Sequence, residues 1–327
     1  MKKNIQLLLS CILFVAISKP VLASILPCNG TKEAPCIVQD TKKNTSDAKY
    51  FRYAEMMAKE YKGNTKGLKH SWISGSAAPS AKGFKTIVEQ IKKITNKKVK
   101  NIIDVDLRQE SHVYLNNNAI NLTTQYNWIN QGKTDQEALA SEENWLNSLA
   151  QQSSVSDVLT PDQFKLGQFS EGTNIPVQSL ENEKRVAENV GLQYIRLMVS
   201  DHMAPNDETV DKFVDLVKTL PPQTWLHVHC RGGAGRSTTF MALYDMLKNA
   251  DRVSFNDIIN RQAAVSPYYN LFDIDRKDPN LTIYYKKRLQ FLAQFYQFAT
   301  DSLRGYAGNW SDWIKDPNRN DPQKQSE

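Results

Sequence analysis

A cysteine at the end of an apolar segment opens a glycine-rich loop, and residues 229–237 read HCRGGAGRS. Glycines let successive backbone N–H groups turn toward one point and form an anion-binding nest. Arg236 can donate to two oxygens of one phosphate group. Such an electropositive setting favours the thiolate of Cys230, the form in which a cysteine is nucleophilic. The loop therefore predicts a nucleophile that attacks phosphate esters.

Strand and helix patterns flank this loop and would position it. The apolar segment 224–229 predicts a strand that leads into the loop, and a predicted helix from about 237 to 250 directs its positive end at the same point. Apolar segments at 99–107 and 190–199 predict further buried strands, and helical spacing recurs at 82–94, 206–220 and 284–302. This alternation predicts an α/β fold with a central sheet flanked by helices.

The loop resembles the signature H-C-x-x-G-x-G-R-[ST] of the protein-tyrosine-phosphatase superfamily. A structural cysteine beside a tight turn, a redox cysteine and a sulfurtransferase loop are the alternatives. The resemblance implies an aspartate, on a loop after a strand, that protonates the leaving oxygen. Asp201 follows the predicted strand ending at Val199, whereas the alternatives Asp207, Asp211 and Asp215 fall at or within the next helix. We expect Ser237 to stabilise the departing thiolate and His229 to hold the loop through hydrogen bonds.

Several segments carry a closer resemblance, in the order ISGSA (73–77), DLRQESH (106–112), NW (127–128), GK (132–133), SDHMAP (200–205) and HCRGGAGRST (229–238). Together they are similar to the bacterial cysteine phytases, the protein-tyrosine-phosphatase-like inositol polyphosphatases, over roughly residues 67–300. The resemblance implies a phosphatase core with a small inserted partial-barrel subdomain. It also implies stepwise hydrolysis of inositol hexakisphosphate through a cysteinyl-phosphate, with no metal and no cofactor.

Inositol hexakisphosphate carries so many negative charges that its site needs cations beyond Arg236. We expect the substrate to contact cationic and loop residues: Arg108, His112, His202, Arg231, Gly232, Gly233, Ala234 and Gly235, with Lys133, Lys277 and Lys286 as outer contacts. Alternatively, Arg108 forms a structural ion pair with Asp104, Asp106 or Glu110, and the three lysines are ordinary solvated residues. The five histidines do not have the spacing of a metal site.

Two departures from the family pattern keep other functions open. Met203 and Ala204 follow the Asp-His pair, where the family often carries an aromatic residue. Arg231 makes the loop unusually basic, as in some phosphoinositide phosphatases. A phosphoinositide or protein-tyrosine phosphatase is therefore the first alternative, and a non-catalytic module that binds inositol phosphates or phosphopeptides is the second.

The composition is that of a globular protein, with 327 residues, 40% hydrophobic and 23% charged residues. It excludes collagen-like, low-complexity and disulfide-framework classes. Lys2 and Lys3, an apolar run from Ile5 to Ser18 and small residues near Ala23 predict a secretory signal cleaved after Ala23. A membrane anchor is the alternative. Because cleavage removes three lysines and no acid, the formal charge falls from +6 to +3.

The predicted organisation is a signal peptide at 1–23, an N-terminal arm at 24–66, a cysteine phosphatase domain at 67–305 with an accessory insertion at about 113–190, and a polar tail at 306–327. An oxidising compartment favours a Cys28–Cys36 disulfide in the arm. We expect export to the periplasm or beyond, or else delivery to a host cell as an effector. We expect no stable membrane insertion after cleavage. Lysines 92–100 lack the interleaved aromatics of a nucleic-acid surface, and no oligomeric state is predicted.

Overall fold

Parallel strands form the centre of the molecule. The computed structural model describes residues 27–41 and 44–317. The strands are β1 (Cys36–Gln39), β2 (Arg52–Tyr53), β3 (Ile73–Ala77), β4 (Asn101–Arg108), β5 (His112–Leu115), β6 (Asn118–Thr123), β7 (Ser154–Val158), β8 (Thr173–Pro176), β9 (Leu180–Glu181), β10 (Gln193–Val199) and β11 (Thr224–Cys230). The helices are α1 (Ala54–Glu60), α2 (Ala81–Ile94), α3 (Asp135–Ala150), α4 (Pro161–Lys165), α5 (Glu183–Glu188), α6 (Asp207–Thr219), α7 (Gly235–Asn249), α8 (Phe255–Ala263), α9 (Thr282–Leu303) and α10 (Trp310–Lys315).

The central sheet has the strand order β10-β4-β11-β3-β2. Its first four strands are parallel, and β2 pairs antiparallel with β3. The carboxyl ends of parallel strands meet at one edge of a sheet, where α/β proteins bind their ligands. Arg108, Val199 and Cys230 are the last residues of β4, β10 and β11, so the DLRQESH turn, the Asp201 loop and the cysteine loop emerge side by side.

Helices cover both faces of this sheet, because successive strand residues point to opposite sides. Ile103 belongs to the larger apolar cluster, together with Phe240 of α7 and Phe295 of α9. Its neighbour Ile102 belongs to a second cluster, with Phe84 of α2. The predicted α/β fold with a central sheet flanked by helices is confirmed.

An accessory antiparallel sheet lies beside the core, in the order β1-β6-β5-β9, and β7 and β8 form a further antiparallel pair. Helix α3 packs nearby and begins with a capping box between Thr134 and Glu137. Strands β1 and β9 are the edges of this sheet, and the partial barrel that the resemblance implied is not confirmed.

The N-terminal arm contributes more regular structure than its polar sequence indicated. Strand β1 belongs to the accessory sheet and β2 to the central sheet, and a disulfide joins Cys28 to Cys36. Strands of two to four residues are too short to show a hydrophobic period. The predicted signal peptide and residues 318–327 of the predicted tail lie outside the described residues. Among those described, no helix has both the length and the apolar composition to cross a bilayer.

Candidate active site

The cysteine loop connects β11 to α7. Cys230 is buried, with 3% of its surface exposed, and the hydroxyl of Ser237 donates to its Sγ over 3.2 Å. The loop packs tightly on β3: a Cβ added at Gly233, where φ is +66°, would lie 2.6 Å from the carbonyl carbon of Ser76. Helix α7 has 15 residues and directs its N-terminus at the loop, which favours a bound anion.

Arg236 is held by a carboxylate that the sequence did not single out as a site residue. Its guanidinium donates to both oxygens of Glu110, over 2.6 and 2.8 Å, and to the carbonyl of Val199 over 3.1 Å. Burial alone would lower the pKa of Arg236, but Asp201 and Glu110 raise it well above its ordinary value. Arg236 is therefore a permanent cation in a fixed orientation. Glu110 lies within the DLRQESH segment, and that motif was the sequence feature that could have indicated its role.

Asp201 lies beside Arg236, with Oδ1 at 3.3 Å from its Nε. The amide of Asn127 donates to Oδ2 over 2.7 Å, and the indole of Trp128 donates to the backbone carbonyl over 2.9 Å. Burial alone would raise the pKa of Asp201, but Arg236, His202 and the hydrogen bond from Asn127 outweigh it and lower the pKa to about 2. Asp201 is thus a carboxylate at neutral pH before substrate binds.

The three alternative acids lie elsewhere. Asp207 accepts from the indole of Trp310 over 2.8 Å, and Asp211 accepts from the backbone of Ser311 over 3.0 Å, so both connect α6 to α10. Asp215 is exposed on α6. Of the four aspartates, Asp201 is the one that the structure brings to Arg236.

His202 and Arg231 both lie at the site and make contacts away from it. His202 shares a hydrogen bond of 2.9 Å with the hydroxyl of Tyr285 on α9, and burial lowers its pKa. Arg231 donates from Nε to Asp40 over 2.9 Å and from Nη1 to Asn127. Both residues therefore connect the site to elements outside the cysteine loop.

A cavity of about 680 Å³ opens between the core and the accessory sheet. Its lining includes Asp201, His202, Arg231 and Gly232, which the sequence predicted, and Lys49, Tyr126 and Lys165, which it did not. The two lysines come from the N-terminal arm and from α4, regions with no local motif. The fold brings these two lysines together at the cavity.

Arg108 and His112 do not reach the cavity, so the prediction that they contact substrate disagrees with the structure. Arg108 is fully buried and donates to Asp106 over 2.9 Å, to Asp40 over 3.2 Å and to Glu183. His112 is equally buried, with Nε2 at 3.0 Å from Asp106. Both side chains are enclosed between the two sheets by carboxylates. Arg108 instead forms a structural ion pair with Asp106, which was the alternative interpretation of the sequence.

Lys133, Lys277 and Lys286 are exposed and are absent from the lining of this cavity. Lys133 donates to Asn130 over 3.0 Å and to Ser141 over 2.9 Å, so it connects the accessory loop to α3. Substrate contact by these lysines stays a prediction.

A buried arginine on α9 is a further residue that the sequence reasoning missed. Arg288 donates from Nη2 to the hydroxyl of Tyr269 over 2.6 Å, while its Nε and Nη1 have no hydrogen-bond partner in the described part of the chain. A Cβ added at Gly235 would lie 2.9 Å from Nη1. The cation therefore adjoins the first residue of α7. In the sequence, the one feature that could have indicated Arg288 is the presence of an arginine within an apolar helical pattern.

His229 makes its contacts beneath the loop. Its Nε2 lies 2.8 Å from Glu183 and 3.3 Å from Asp104. Two groups, Asp104-Glu183-His229 and Asp106-His112-Glu183, bring potential metal-ligand atoms within 4.8 Å of one another. However, Arg108 already donates to Asp106 and Glu183, so a guanidinium supplies the positive charge that a metal ion would bring.

Comparison with known proteins gives this arrangement a family. A family model for protein-tyrosine-phosphatase-like phytases, described as "Inositol hexakisphosphate", matches residues 105–248. The structure of a phytase of this type from Bdellovibrio bacteriovorus is 30% identical, with a TM-score of 0.69 over 86% of this chain and 94% of that one. The chain belongs to the protein-tyrosine-phosphatase-like phytase family.

Two longer proteins are also similar to this phytase-family member. The inositol phosphatase of Mitsuokella multacida, solved with myo-inositol-(1,3,4,5)-tetrakisphosphate, is 30% identical with a TM-score of 0.74, over 85% of this chain and 48% of that one. The effector protein hopD2 of Pseudomonas syringae pv. tomato is 32% identical over 212 residues, which are 64% of this chain and 45% of hopD2. The chain thus spans about half the length of these two relatives.

Proposed function

We propose that this protein hydrolyses phosphomonoesters of inositol hexakisphosphate and lower inositol polyphosphates through a cysteinyl-phosphate intermediate. The observation that carries the proposal is the placement of Arg236. Arg236 lies six residues after the nucleophile Cys230. Glu110 fixes its guanidinium next to the acid Asp201. Nucleophile loop, phosphate-binding cation and acid therefore meet at one edge of the sheet.

In the first step, the Cys230 thiolate attacks phosphorus in line with the departing inositol oxygen. Loop N–H groups and Arg236 hold the three equatorial oxygens, over which the transition-state charge is spread. The bond from phosphorus to the inositol oxygen breaks, and a protonated Asp201 donates its proton to that oxygen. The Asp201 pKa of about 2 describes the free site. A polyanionic substrate beside Asp201 opposes its ionisation and favours the protonated form.

In the second step, water attacks the phosphorus of the cysteinyl-phosphate, and the Asp201 carboxylate accepts the proton of that water. The sulfur–phosphorus bond breaks and Cys230 leaves as a thiolate. The hydroxyl of Ser237, 3.2 Å from Sγ, donates a hydrogen bond that stabilises the thiolate. This step releases free phosphate and regenerates the Cys230 thiolate and a protonated Asp201.

The distribution of cations supports a substrate with several phosphates. Arg236 and the loop suffice for one phosphate group. Arg231, Lys49 and Lys165 line the adjoining cavity, and Arg288 leaves two guanidinium nitrogens unpartnered among the described residues. A ring that carries phosphates on neighbouring carbons can contact the loop and these cations at once. A substrate with a single phosphate would leave most of them unused.

A substrate panel with three variants tests the proposal. Purified protein is given inositol hexakisphosphate, a phosphotyrosine peptide and a phosphoinositide headgroup, and products are separated by phosphate count. We expect stepwise release from inositol hexakisphosphate. Cys230→Ser should abolish turnover and retain binding, and Asp201→Asn should cost roughly 10²–10⁴ in rate. Asp215→Asn, the same change at an exposed site, is the matched control.

Three other outcomes of these experiments would contradict the proposal. Preferential hydrolysis of the peptide or the phosphoinositide headgroup would support the alternative phosphatases. Tight binding of inositol hexakisphosphate without turnover would indicate a binding module. Near-normal activity of Asp201→Asn would reject Asp201 as the acid.

We also propose that the protein is exported, with residues 1–23 as its leader and 67–305 as the phosphatase domain. The basic and apolar pattern of the leader supports export, and hopD2 is named as an effector protein. Delivery to a host cell is therefore the alternative destination. Mass spectrometry of the protein from its native host would reject the leader if residues 1–23 were retained.

A further inference from the structure

A loop of the accessory region approaches the acid in an unusual backbone conformation. Tyr126 and Asn127 both have positive φ, of 60° and 58°. Such conformations cost of order 1–3 kcal/mol each and persist only where surrounding contacts enforce them. Here Tyr126 donates to Asp278 over 2.6 Å, and Trp128 donates to the carbonyl of Asp201 over 2.9 Å. These contacts place the Asn127 side chain against the Asp201 carboxylate.

The amide of Asn127 bridges the cysteine loop and the acid. Its Oδ1 accepts from Nη1 of Arg231, and its Nδ2 donates to Oδ2 of Asp201 over 2.7 Å. The orientation follows from chemistry, because a guanidinium only donates and an ionised carboxylate only accepts. Arg231 therefore requires the amide oxygen and leaves the NH₂ group for Asp201.

The groups around Asp201 favour its ionised form. Oδ1 accepts from the backbone of His202 over 3.0 Å and lies 3.3 Å from the Arg236 guanidinium, so both oxygens face donors. Other charged or titratable groups nearby are Glu110 behind Arg236, the His202 ring, Arg231 beyond Asn127, and Tyr285 and Arg288 on α9. The described contacts of the Asp201 carboxylate are all with donors. A protonated Asp201 would therefore have to donate its proton to the substrate.

The geometry points to Asn127 as a positioning residue that connects Arg231 to Asp201, keeps Asp201 ionised in the free site, and thereby sets the alkaline limit of turnover. This inference rests on the proposed function, in which Asp201 must carry a proton when the inositol oxygen leaves. Because the hydrogen bond from Asn127 helps to lower the pKa of Asp201 to about 2, it works against that proton. It therefore restricts the proton-bearing complex to lower pH.

Asn127→Asp isolates this effect. The change keeps the size of the side chain, its tolerance of positive φ and an oxygen for Arg231, but it replaces the donor with a second carboxylate. Two carboxylates at this distance cannot both ionise easily, so the proton affinity of the pair rises. Asn127→Gly removes the amide without backbone strain. Gln131→Glu introduces the same charge change in the same loop and is the control.

The test measures kcat for inositol hexakisphosphate against pH in the full chain at saturating substrate, because the pH profile of kcat reports ionisations of the enzyme–substrate complex. The alkaline limb should move up by about one to two pH units in Asn127→Asp and by less in Asn127→Gly, and it should stay in place in Gln131→Glu. Coincident limbs for Asn127→Asp and wild type would overturn the inference, as would an equal shift in Gln131→Glu. Comparing kcat with KM separates this effect from weaker substrate binding.

A second measurement requires no turnover. Carbon-13 NMR of labelled aspartate in the Cys230→Ser background follows the titration of the Asp201 carboxyl directly. The Asp201 pKa should rise in Asn127→Asp and should be unaffected by Gln131→Glu. If wild-type protein hydrolyses none of the phosphoesters, the proposed function fails while this titration still tests the role of Asn127. An unchanged Asp201 titration in an active enzyme rejects that role alone.

Discussion

Arg288 is a buried cation whose hydrogen bonding is incomplete. A buried, unsatisfied donor costs roughly 1–3 kcal/mol, and two nitrogens of Arg288 have no hydrogen-bond partner in the described part of the chain. A stability cost of this kind is expected where a residue is retained for binding. Its position beside Gly235 makes a substrate phosphate the partner that would satisfy those nitrogens.

Arg288→Met should therefore weaken catalysis without weakening the fold. A charge-assisted hydrogen bond is worth about 1.5–3 kcal/mol, and about 1.4 kcal/mol corresponds to a factor of ten. We expect KM for inositol hexakisphosphate to rise about tenfold or more, and the midpoint of thermal unfolding to stay constant or increase. Lys287→Met, the same change at the exposed neighbouring position, is the control. A lower unfolding temperature with normal KM would make Arg288 a structural residue.

At the residue scale, the predictable part of the site is contiguous in sequence. The loop from Cys230 to Ser237 contains the proposed nucleophile, the glycine-rich turn and the proposed phosphate-binding cation within eight residues, so the local sequence alone predicts it. The sequence could not tell which polar residues of the DLRQESH segment face the substrate. There Glu110 holds Arg236, while Arg108 pairs with Asp106. Which side a turn residue faces depends on partners that are distant in sequence.

At the element scale, the cysteine loop packs closely against β3. Gly233 adopts a φ of +66°, and an added Cβ would lie 2.6 Å from the carbonyl carbon of Ser76 and 2.8 Å from the Cα of Ala77. Backbone atoms cannot move aside as a flexible side chain can. The neighbouring Gly232 has nothing within 4 Å of the same hypothetical atom.

These two glycines form a matched pair of substitutions. Gly233→Ala should push the loop away from β3, lower the unfolding temperature by several degrees, and abolish binding of inorganic phosphate. Gly232→Ala should leave the unfolding temperature at its wild-type value. Calorimetry with and without phosphate measures both effects. Equal unfolding temperatures for the two variants would show that the loop can move off β3 without cost.

Elements with a long hydrophobic period could be predicted, and short ones could not. Helix α2 follows the spacing of Phe84, Ile87 and Ile91, all buried, and β4 and β10 follow apolar segments. Strands β1 and β2 have four and two residues, and their stability depends on pairing with β6 and β3. Pairing partners of this kind leave no local pattern in the sequence.

At the scale of the whole molecule, a buried ion-pair network connects the central sheet to the accessory region. Arg108, the last residue of β4, donates to Asp106 on its own strand, to Asp40 just after β1, and to Glu183 on α5. Arg231 of the cysteine loop also donates to Asp40. The network therefore extends from the accessory region to the cysteine loop.

Arg108→Met should destabilise the whole protein, because it leaves Asp40, Asp106 and Glu183 buried without their shared cation. Removing one partner of a buried ion pair typically costs about 3–5 kcal/mol, so urea denaturation should show a loss of that order in the free energy of unfolding. Arg185→Met is the matched control, since Arg185 pairs with Glu181 over 3.0 Å while 74% of its side chain is exposed, and exposed pairs contribute little. The folded fraction of Arg108→Met should retain a KM closer to wild type than that of Arg288→Met. An Arg108→Met protein that is as stable as wild type but has a raised KM would restore Arg108 as a substrate contact.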